Sequence, residues 1–397
     1  MLRKLGKITV LSSLGALLNF VTTFIIVHKL GLGILGVFTV INSITALCSV
    51  VYTILPSNYS IFKYQDDVGY KYILTSFYFS ATILFILVLF ILFKFHSFSN
   101  LSFGLVVYNG LTTIAFYYFD IIYQATNRLY RYFGQLLLQA ALKIILIYVF
   151  VYYHLLTDVR ALIFVVSTAQ LICLFPYLKD LTDNIQISKT FFVQPVIFIR
   201  SSINDLKAYY LNSIIKRIRD NIIIVLFSTI LPSELLGLYT LFIKLTSFIL
   251  SLGRSFEAFF TNRENMEKYH KTFNAHILLL GGILQVAFLS IGIVYMKIYT
   301  HNFYAVEIII LSFLVYPYSR FIVERIKFLG NYNNKELNMS MLLYIIFVLA
   351  TFLICKLFTI ISLYAILLVY FTSELINYFY LIYQSIKVNH NKKFVKL

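Results

Sequence analysis

Residues 30–39 read Leu30-Gly31-Leu32-Gly33-Ile34-Leu35-Gly36-Val37-Phe38-Thr39, and residues 231–240 read Leu231-Pro232-Ser233-Glu234-Leu235-Leu236-Gly237-Leu238-Tyr239-Thr240. At an offset of 201 residues, two Leu, a Gly, an aromatic and a Thr recur in register. Each stretch joins two long apolar runs, one pair near the start of the 397-residue chain and the other just past its midpoint. The apolar runs themselves are about 20 residues long, the length that crosses a hydrocarbon core. They fall near 8–28, 33–55, 73–93, 101–122, 134–153 and 161–178. A second set falls near 209–229, 235–255, 273–296, 303–323, 339–356 and 360–383. Lipid offers no partner for a free backbone group, so runs of this length must be helices; barrel strands would be about half as long and would alternate.

The expected fold class is therefore all-α integral membrane, with 12 transmembrane helices in two pseudo-symmetric six-helix lobes. The expected domains are an N-terminal lobe over 1–178, a cytoplasmic connection over 179–208 and a C-terminal lobe with a basic tail over 209–397. An even-numbered unit repeats in the same orientation, so its pseudo-axis lies along the membrane normal and a substrate binds between the halves. In the connection, the short apolar stretch Phe191 to Ile203, with Pro195, is expected to lie along the interface.

Composition supports the membrane class. The chain is 60% hydrophobic and 12% charged, with a mean hydropathy of +0.85. A soluble domain needs a more polar surface than that composition provides. There is no Trp, so the 32 Tyr must form the interfacial belts. The net charge of +17 resides mainly in short gaps between spans, the pattern of topology determinants rather than of a nucleic-acid interface. With the N-terminus inside, inward segments carry 21 Lys and Arg against 5 in outward loops. Both termini are thus expected in the cytoplasm. The first span, behind Arg3, Lys4 and Lys7, lacks a convincing small-residue cleavage site and is read as a retained helix.

Enzyme signatures are missing: no nucleotide-binding GxxxxGK[ST] loop, no HExxH and no GxSxG occurs. Cys48, Cys173 and Cys355 are far apart within apolar runs and read as small apolar residues. Asp66-Asp67, Asp180 and Asp183 read as solvated loop charges, and the histidines show no ligand spacing. No metal, cofactor or catalytic residue is expected.

Ionisable groups inside spans are the informative ones, since each costs on the order of 3 kcal/mol at mid-membrane. Lys216, Arg217, Arg219 and Asp220 crowd the seventh span. Lys216, Arg219 and Asp220 share an arc of about 100°, with Arg217 flanking it. Counted from residue 209, Lys216 stands roughly 10 Å and Asp220 roughly 16 Å along the axis. A later start of this span would instead put the cluster at the cytoplasmic surface. On the repeat offset, Asp220 falls on Asn19, another polar residue within a span.

Lys244 lies about nine residues into the eighth span, with Ser247, Ser251 and Ser255 on its face. That is too deep for snorkelling and suits a hydrated cavity. Gln135, Gln139 and Lys143 form a similar stripe in the fifth span, where hydrogen bonding between helices explains the two Gln equally well. The acids are Asp120 near the inner end of span four and Glu374, with Asn377, in span twelve. They are candidates for ion coupling or for internal charge pairing. Glu234 and Glu307 are expected to be solvated at the outer surface, and Arg320 and Glu324 to meet headgroups. Pro317 should kink span ten. The deep cations Lys143, Lys216, Arg217, Arg219 and Lys244 outnumber Asp220 and Glu374, and a basic cavity in low dielectric favours an anion such as a pyrophosphate.

Two stretches carry a family resemblance. The opening helix behind Arg and Lys, followed by Leu30 to Phe38, is similar to the start of bacterial polysaccharide flippases. Arg219-Asp220-Asn221, Leu235-Leu236-Gly237-Leu238-Tyr239 and Lys244 resemble the corresponding segment of their second half. The family is the O-antigen (Wzx-type) flippases of the multidrug/oligosaccharidyl-lipid/polysaccharide exporter superfamily, and span count and halving agree along the whole chain. The resemblance implies a V-shaped, MATE-like fold of two lobes working by alternating access. It also implies an undecaprenyl-pyrophosphate-linked O-antigen repeat unit as substrate, moved from the cytoplasmic to the periplasmic leaflet of the bacterial inner membrane. By that resemblance, an H+ or Na+ gradient rather than ATP is expected to supply the energy, and a monomer is the expected functional form. Two rivals stand beside it. An O-antigen polymerase or acyltransferase of the same pathway usually carries a long periplasmic loop, and every outward loop here is short. A multidrug exporter of the same superfamily should favour acids in the N-terminal lobe.

Overall fold

The computed structural model describes residues 2–67, 69–95, 103–177, 191–261, 281–298, 304–330 and 334–394. Among these residues there is helix and turn but no strand. The first half contains α1 (Leu2–Cys48), α2 (Ser57–Asp66), α3 (Tyr70–Phe95), α4 (Phe103–Ala125), α5 (Leu129–Tyr152) and α6 (Val159–Leu174). A short α7 (Gln194–Ser201) leads into α8 (Ile203–Phe227) and α9 (Ser233–Thr261). The remainder is α10 (Gly281–Ile298), α11 (Ala305–Ser312), α12 (Val315–Gly330), α13 (Asn334–Leu357) and α14 (Leu363–Phe394). Among the described residues, eight helical segments are long and apolar enough to cross a membrane, and α6 is a shorter apolar helix.

The first of those segments holds two crossings. A straight helix of the 47 residues of α1 would run about 70 Å, over twice a hydrocarbon core of about 30 Å. It is interrupted at Gly31, whose φ of 86° and ψ of 169° lie in a region that only glycine occupies at low cost. The interruption falls within the quoted Leu30–Thr39 stretch. A 3-10 turn over Ser49–Ile54 and Pro56 then end the second crossing.

The tenth apolar window is also broken, between α11 and α12. A proline ring collides with the carbonyl four residues earlier and removes one amide donor. For Pro317 that carbonyl belongs to Phe313, and Phe313 and Leu314 are where the helix is interrupted. The amides there bond three residues back instead, Phe313 to Ile310 and Leu314 to Leu311. The expected kink is present and its position follows from the ring.

Two compact units can be distinguished, Met1–Gly36 with Ile222–Leu397, and Val37–Asn221. Their limits fall inside α1 and α8 rather than in the connection over 179–208.

Within the first unit, the two quoted stretches meet. A Cβ on Gly36 would run into the carbonyl of Ser233, and a Cβ on Gly237 into the carbonyl of Leu32. The offset of 201 maps Gly36 onto Gly237 and Leu32 onto Ser233, so each contact is the image of the other. Gly33 lies against the Glu234 carboxylate, a pair the offset maps onto itself. An isologous contact is the mark of two-fold symmetry, so the sequence repeat has a three-dimensional counterpart at these helices.

Two expectations about acids in this unit need correction. Glu307 is buried, 4% exposed, rather than solvated, and Tyr364 bonds to it. Glu324 does not reach outward to headgroups. It is fully buried, pairs with Arg320 at 2.8 Å and accepts from the Ser385 hydroxyl. The i, i+4 spacing puts Arg320 on the same helix face as Glu324, and the pairing lets the carboxylate turn inward.

The second unit is held together by a buried polar network as well as by aliphatic packing. Asn109 donates to Asn42 at 2.9 Å and accepts from Ser167 at 3.3 Å, and Thr112 donates to Gln170 at 2.6 Å. Apolar side chains alone give little preference between helices and lipid, so such bonds and small residues supply the specificity. Gly110 serves the same end, since a Cβ there would meet the Phe85 ring. On α7, Val196 and Ile197 are exposed while Phe198 packs on Tyr59 and Tyr70.

Candidate functional site

In the second unit, side chains from two other elements meet Arg217, which lies on the α8 segment that belongs to that unit. One guanidinium nitrogen donates to the Ser49 hydroxyl at 2.6 Å, and the guanidinium carbon lies 4.7 Å from the centre of the Tyr117 ring. The hydroxyl comes from the 3-10 turn after α1 and the ring from α4. A charge-assisted hydrogen bond of this length contributes about 1.5–3 kcal/mol, and a partly desolvated cation–π contact about 1–2 kcal/mol. Together they fix one face of the guanidinium and leave it further N–H donors.

Next to Arg217 stands an aromatic wall. Tyr78, on α3, lies within electrostatic reach of both Arg217 and Asp120. It packs on Tyr52 at 5.2 Å and on Tyr118 at 5.4 Å between ring centres. Tyr52 bonds to Thr82 at 2.9 Å, and Tyr118 shares a 2.7 Å hydrogen bond with Thr75. The Asp120 Oδ1 is buried and has no hydrogen-bond partner. Two groups remote in sequence, Arg217 and Asp120, are thus gathered about one tyrosine.

The other expected site residues distribute as follows. Arg219 lies 3.8 Å from Asp220, with side chains 11% and 49% exposed. Its neighbour Lys216 is half-buried. Lys143 on α5 is half-buried and acts on Cys173 of α6. Gln139 is buried, and Gln135, fully buried, has both carboxamide atoms without a hydrogen-bond partner. Its main-chain carbonyl accepts from the Cys173 thiol at 3.4 Å.

Lys244, Ser247, Asn19 and Glu374 belong to the first unit. Lys244 is exposed and Ser247 half-exposed, and the side chain of Ser251 lies outside the described residues. Asn19 donates to the Gly15 carbonyl of its own helix at 3.0 Å. Glu374 is buried, 6% exposed, close to the buried Tyr239.

Ser49, Tyr117 and Tyr78 were not among the expected site residues. One signal for them was available: Phe116-Tyr117-Tyr118-Phe119-Asp120-Ile121-Ile122-Tyr123 surrounds an intramembrane acid with aromatics. Ser49 carries no such signal. Among the described residues, no group of three or more His, Cys, Asp or Glu is arranged to hold a metal ion.

This all-helical architecture is that of the MATE transporters. A MATE protein solved in complex with MaL6 superimposes with a TM-score of 0.65 at 12% identity, over 98% of this chain and 96% of that one. The Vibrio cholerae MATE transporter VcmN gives 0.65 at 12% identity over 96% of both chains. A MOP superfamily transporter from Pyrococcus furiosus gives 0.61 at 12% identity over 98% and 96%; its binding pocket is described as having reverse polarity that suggests a different function. At such identities the likeness is one of fold. No protein-family model and none of the curated proteins matches the sequence.

Proposed function

We propose that this chain is a membrane transporter that moves an undecaprenyl-pyrophosphate-linked oligosaccharide from the cytoplasmic to the periplasmic leaflet. Alternating access of two six-helix lobes, 1–178 and 209–397, driven by an H+ or Na+ gradient, is the proposed mechanism, with both termini in the cytoplasm of a bacterium. The MATE-like fold supports the transporter class. The observation that carries the substrate reading is Arg217: a guanidinium held by Ser49 and Tyr117 keeps its remaining donors for an anion. Planar, forked donors of this kind suit phosphate oxygens better than an ammonium does. Lys216, Arg219 and Lys143, of the same unit as Arg217, add positive charge for that head group and Gln139 adds a polar group; Lys244, Asn19, Ser247 and Ser251 are proposed as transport residues of the other unit. Asp120, Asp220 and Glu374 serve coupling or internal pairing.

One observation favours a second reading. Asp120 is an acid of the first half with a buried Oδ1, the feature expected of an exporter of cationic molecules. The two readings separate in a strain lacking the gene. For the glycolipid reading, wild type restores surface polysaccharide, and a Lys216/Arg219/Lys244 triple alanine variant made in normal amount does not. Arg217→Lys keeps the charge but loses the planar stacking, and should reduce display roughly tenfold, about 1.4 kcal/mol. Full display by the triple variant would refute the anion site. Loss of drug resistance without loss of polysaccharide would favour the exporter.

A further inference from the structure

The short helix α7 has two faces of different character. Val193, at its N-cap, falls with Val196, Ile197 and Arg200 within an arc of about 100°, and Pro195 and Phe198 lie opposite. The inner face is seated in aromatic packing. The Phe198 ring lies 5.2 Å from that of Tyr70 and 6.5 Å from that of Tyr59, and Tyr59 meets Tyr209 of α8 at 5.7 Å between ring centres. Just before the helix, the Phe191 carbonyl accepts from the Ser76 hydroxyl of α3. These contacts fix α7 in place while its outer face stays open. Val196 is 64% and Ile197 61% exposed. Arg200, in the last turn, and Lys207, one turn into α8, are exposed as well. Among the described side chains of α7 and the first two turns of α8, none is acidic.

We infer that the outer face of α7 is a docking surface for anionic phospholipid, whose acyl chains cover Val193, Val196 and Ile197 and whose head group meets Arg200 and Lys207. Continuity with a membrane-crossing helix favours lipid over a protein partner. Phe79, Ile83 and Leu87 recur at every fourth residue of α3, and all three are exposed. Phe79 packs on Phe191 at 6.1 Å, and Phe191 on the exposed Phe192 at 5.1 Å between ring centres. The apolar surface of α3 thus runs on to the start of α7. Charge then selects the class of lipid. A zwitterionic lipid offers the same acyl cover without net charge, whereas an interfacial helix binds more tightly where the lipids are anionic. Each basic side chain beside such a surface is worth roughly a fivefold preference. The inference rests on the membrane-crossing fold and goes beyond the substrate reading, so its failure would leave that reading untouched.

The chain contains no Trp, so Val196→Trp introduces a single fluorescent reporter on this face, and Ile197→Trp supplies a second should the first fail to fold. Each full-length variant is reconstituted in vesicles of equal parts phosphatidylglycerol and phosphatidylcholine. Bromine, a contact quencher, is carried on the acyl chains of one lipid or of the other. Both brominated lipids should quench the reporter, and brominated phosphatidylglycerol more strongly, by a margin equivalent to at least about fivefold local enrichment. Ile83→Trp, on the exposed apolar face of α3, should be quenched without preference. Adding Arg200→Gln and Lys207→Gln to Val196→Trp should abolish the preference and leave the quenching by phosphatidylcholine in place. Absence of quenching by either lipid would leave the face to water or to a protein partner and overturn the inference. Equal quenching by the two lipids also overturns it, as does a preference that survives removal of both charges.

Discussion

The reciprocal glycine contact makes a prediction that tests pseudo-symmetry and packing together. In Gly36→Ala the new methyl group meets the Ser233 carbonyl and the Gly237 amide; in Gly237→Ala it meets the Leu32 carbonyl and Cα. These neighbours are backbone, so no rotamer change relieves the collision and the helices must separate. Overpacking of this kind costs about 1–3 kcal/mol. Unfolding entropy of about 2.1 cal/mol/K per residue gives roughly 0.8 kcal/mol/K for 397 residues, so each variant should lose about 1–4 °C in Tm. Because the offset exchanges the two contacts, the two losses should be nearly equal. One separation of the helices relieves both collisions, so the double variant should lose about as much as either single one. The coupling energy of the cycle is then about 1–3 kcal/mol. Thermal unfolding of purified protein in one detergent, at one scan rate, reads all four corners. A double variant that falls by the sum, or singles that differ severalfold, would refute the reciprocal contact. Gly134→Ala is a useful control, since a Cβ there meets nothing within 4 Å; its melting should stay within about 1 °C of wild type.

Two further expectations concern buried polar groups. Asn109→Leu removes the donor to Asn42 and the acceptor for Ser167, and should destabilise by about 1–3 kcal/mol for the partners left unsatisfied; Asn42→Ala combined with it should cost less than the sum. Arg320→Met strands the fully buried Glu324 and should cost about 1–3 kcal/mol, whereas Arg160→Ala, which breaks an exposed 3.7 Å pair with Asp158, should change melting by no more than about 0.5 kcal/mol.

Much of the helix pattern was legible because its cause is local. A run of about 20 apolar residues crosses a bilayer whatever its neighbours are, and Gly31 and Pro317 interrupt helices through their own covalent geometry. The acids were harder to read. The sequence suggests that Glu307 and Glu324 sit near span ends, the first solvated and the second among headgroups. It does not say that Tyr364 reaches Glu307 or that Ser385 reaches Glu324 from another helix. Burial of a charge depends on such partners, and they are distant in the chain. The site shows the same division. Arg217 was picked out as an intramembrane cation, but its partners Ser49 and Tyr117 lie 168 and 100 residues away and look ordinary in sequence.

By itself, the sequence determined that this protein is a bundle of membrane-crossing helices, that its second half repeats the first at Leu30–Thr39 and Leu231–Thr240, and that cations dominate within the spans. Those properties follow from hydropathy, helix periodicity and residue identity, which act over one or two turns. Only the tertiary structure decided that the two repeated glycines face each other, that Arg217 is clamped by a hydroxyl and a ring, and that Asn377 is buried with neither carboxamide atom satisfied. Contact between helices is fixed by which small, aromatic and polar faces fit together across the bundle. That fit is a property of all the helices at once, and no single segment encodes it.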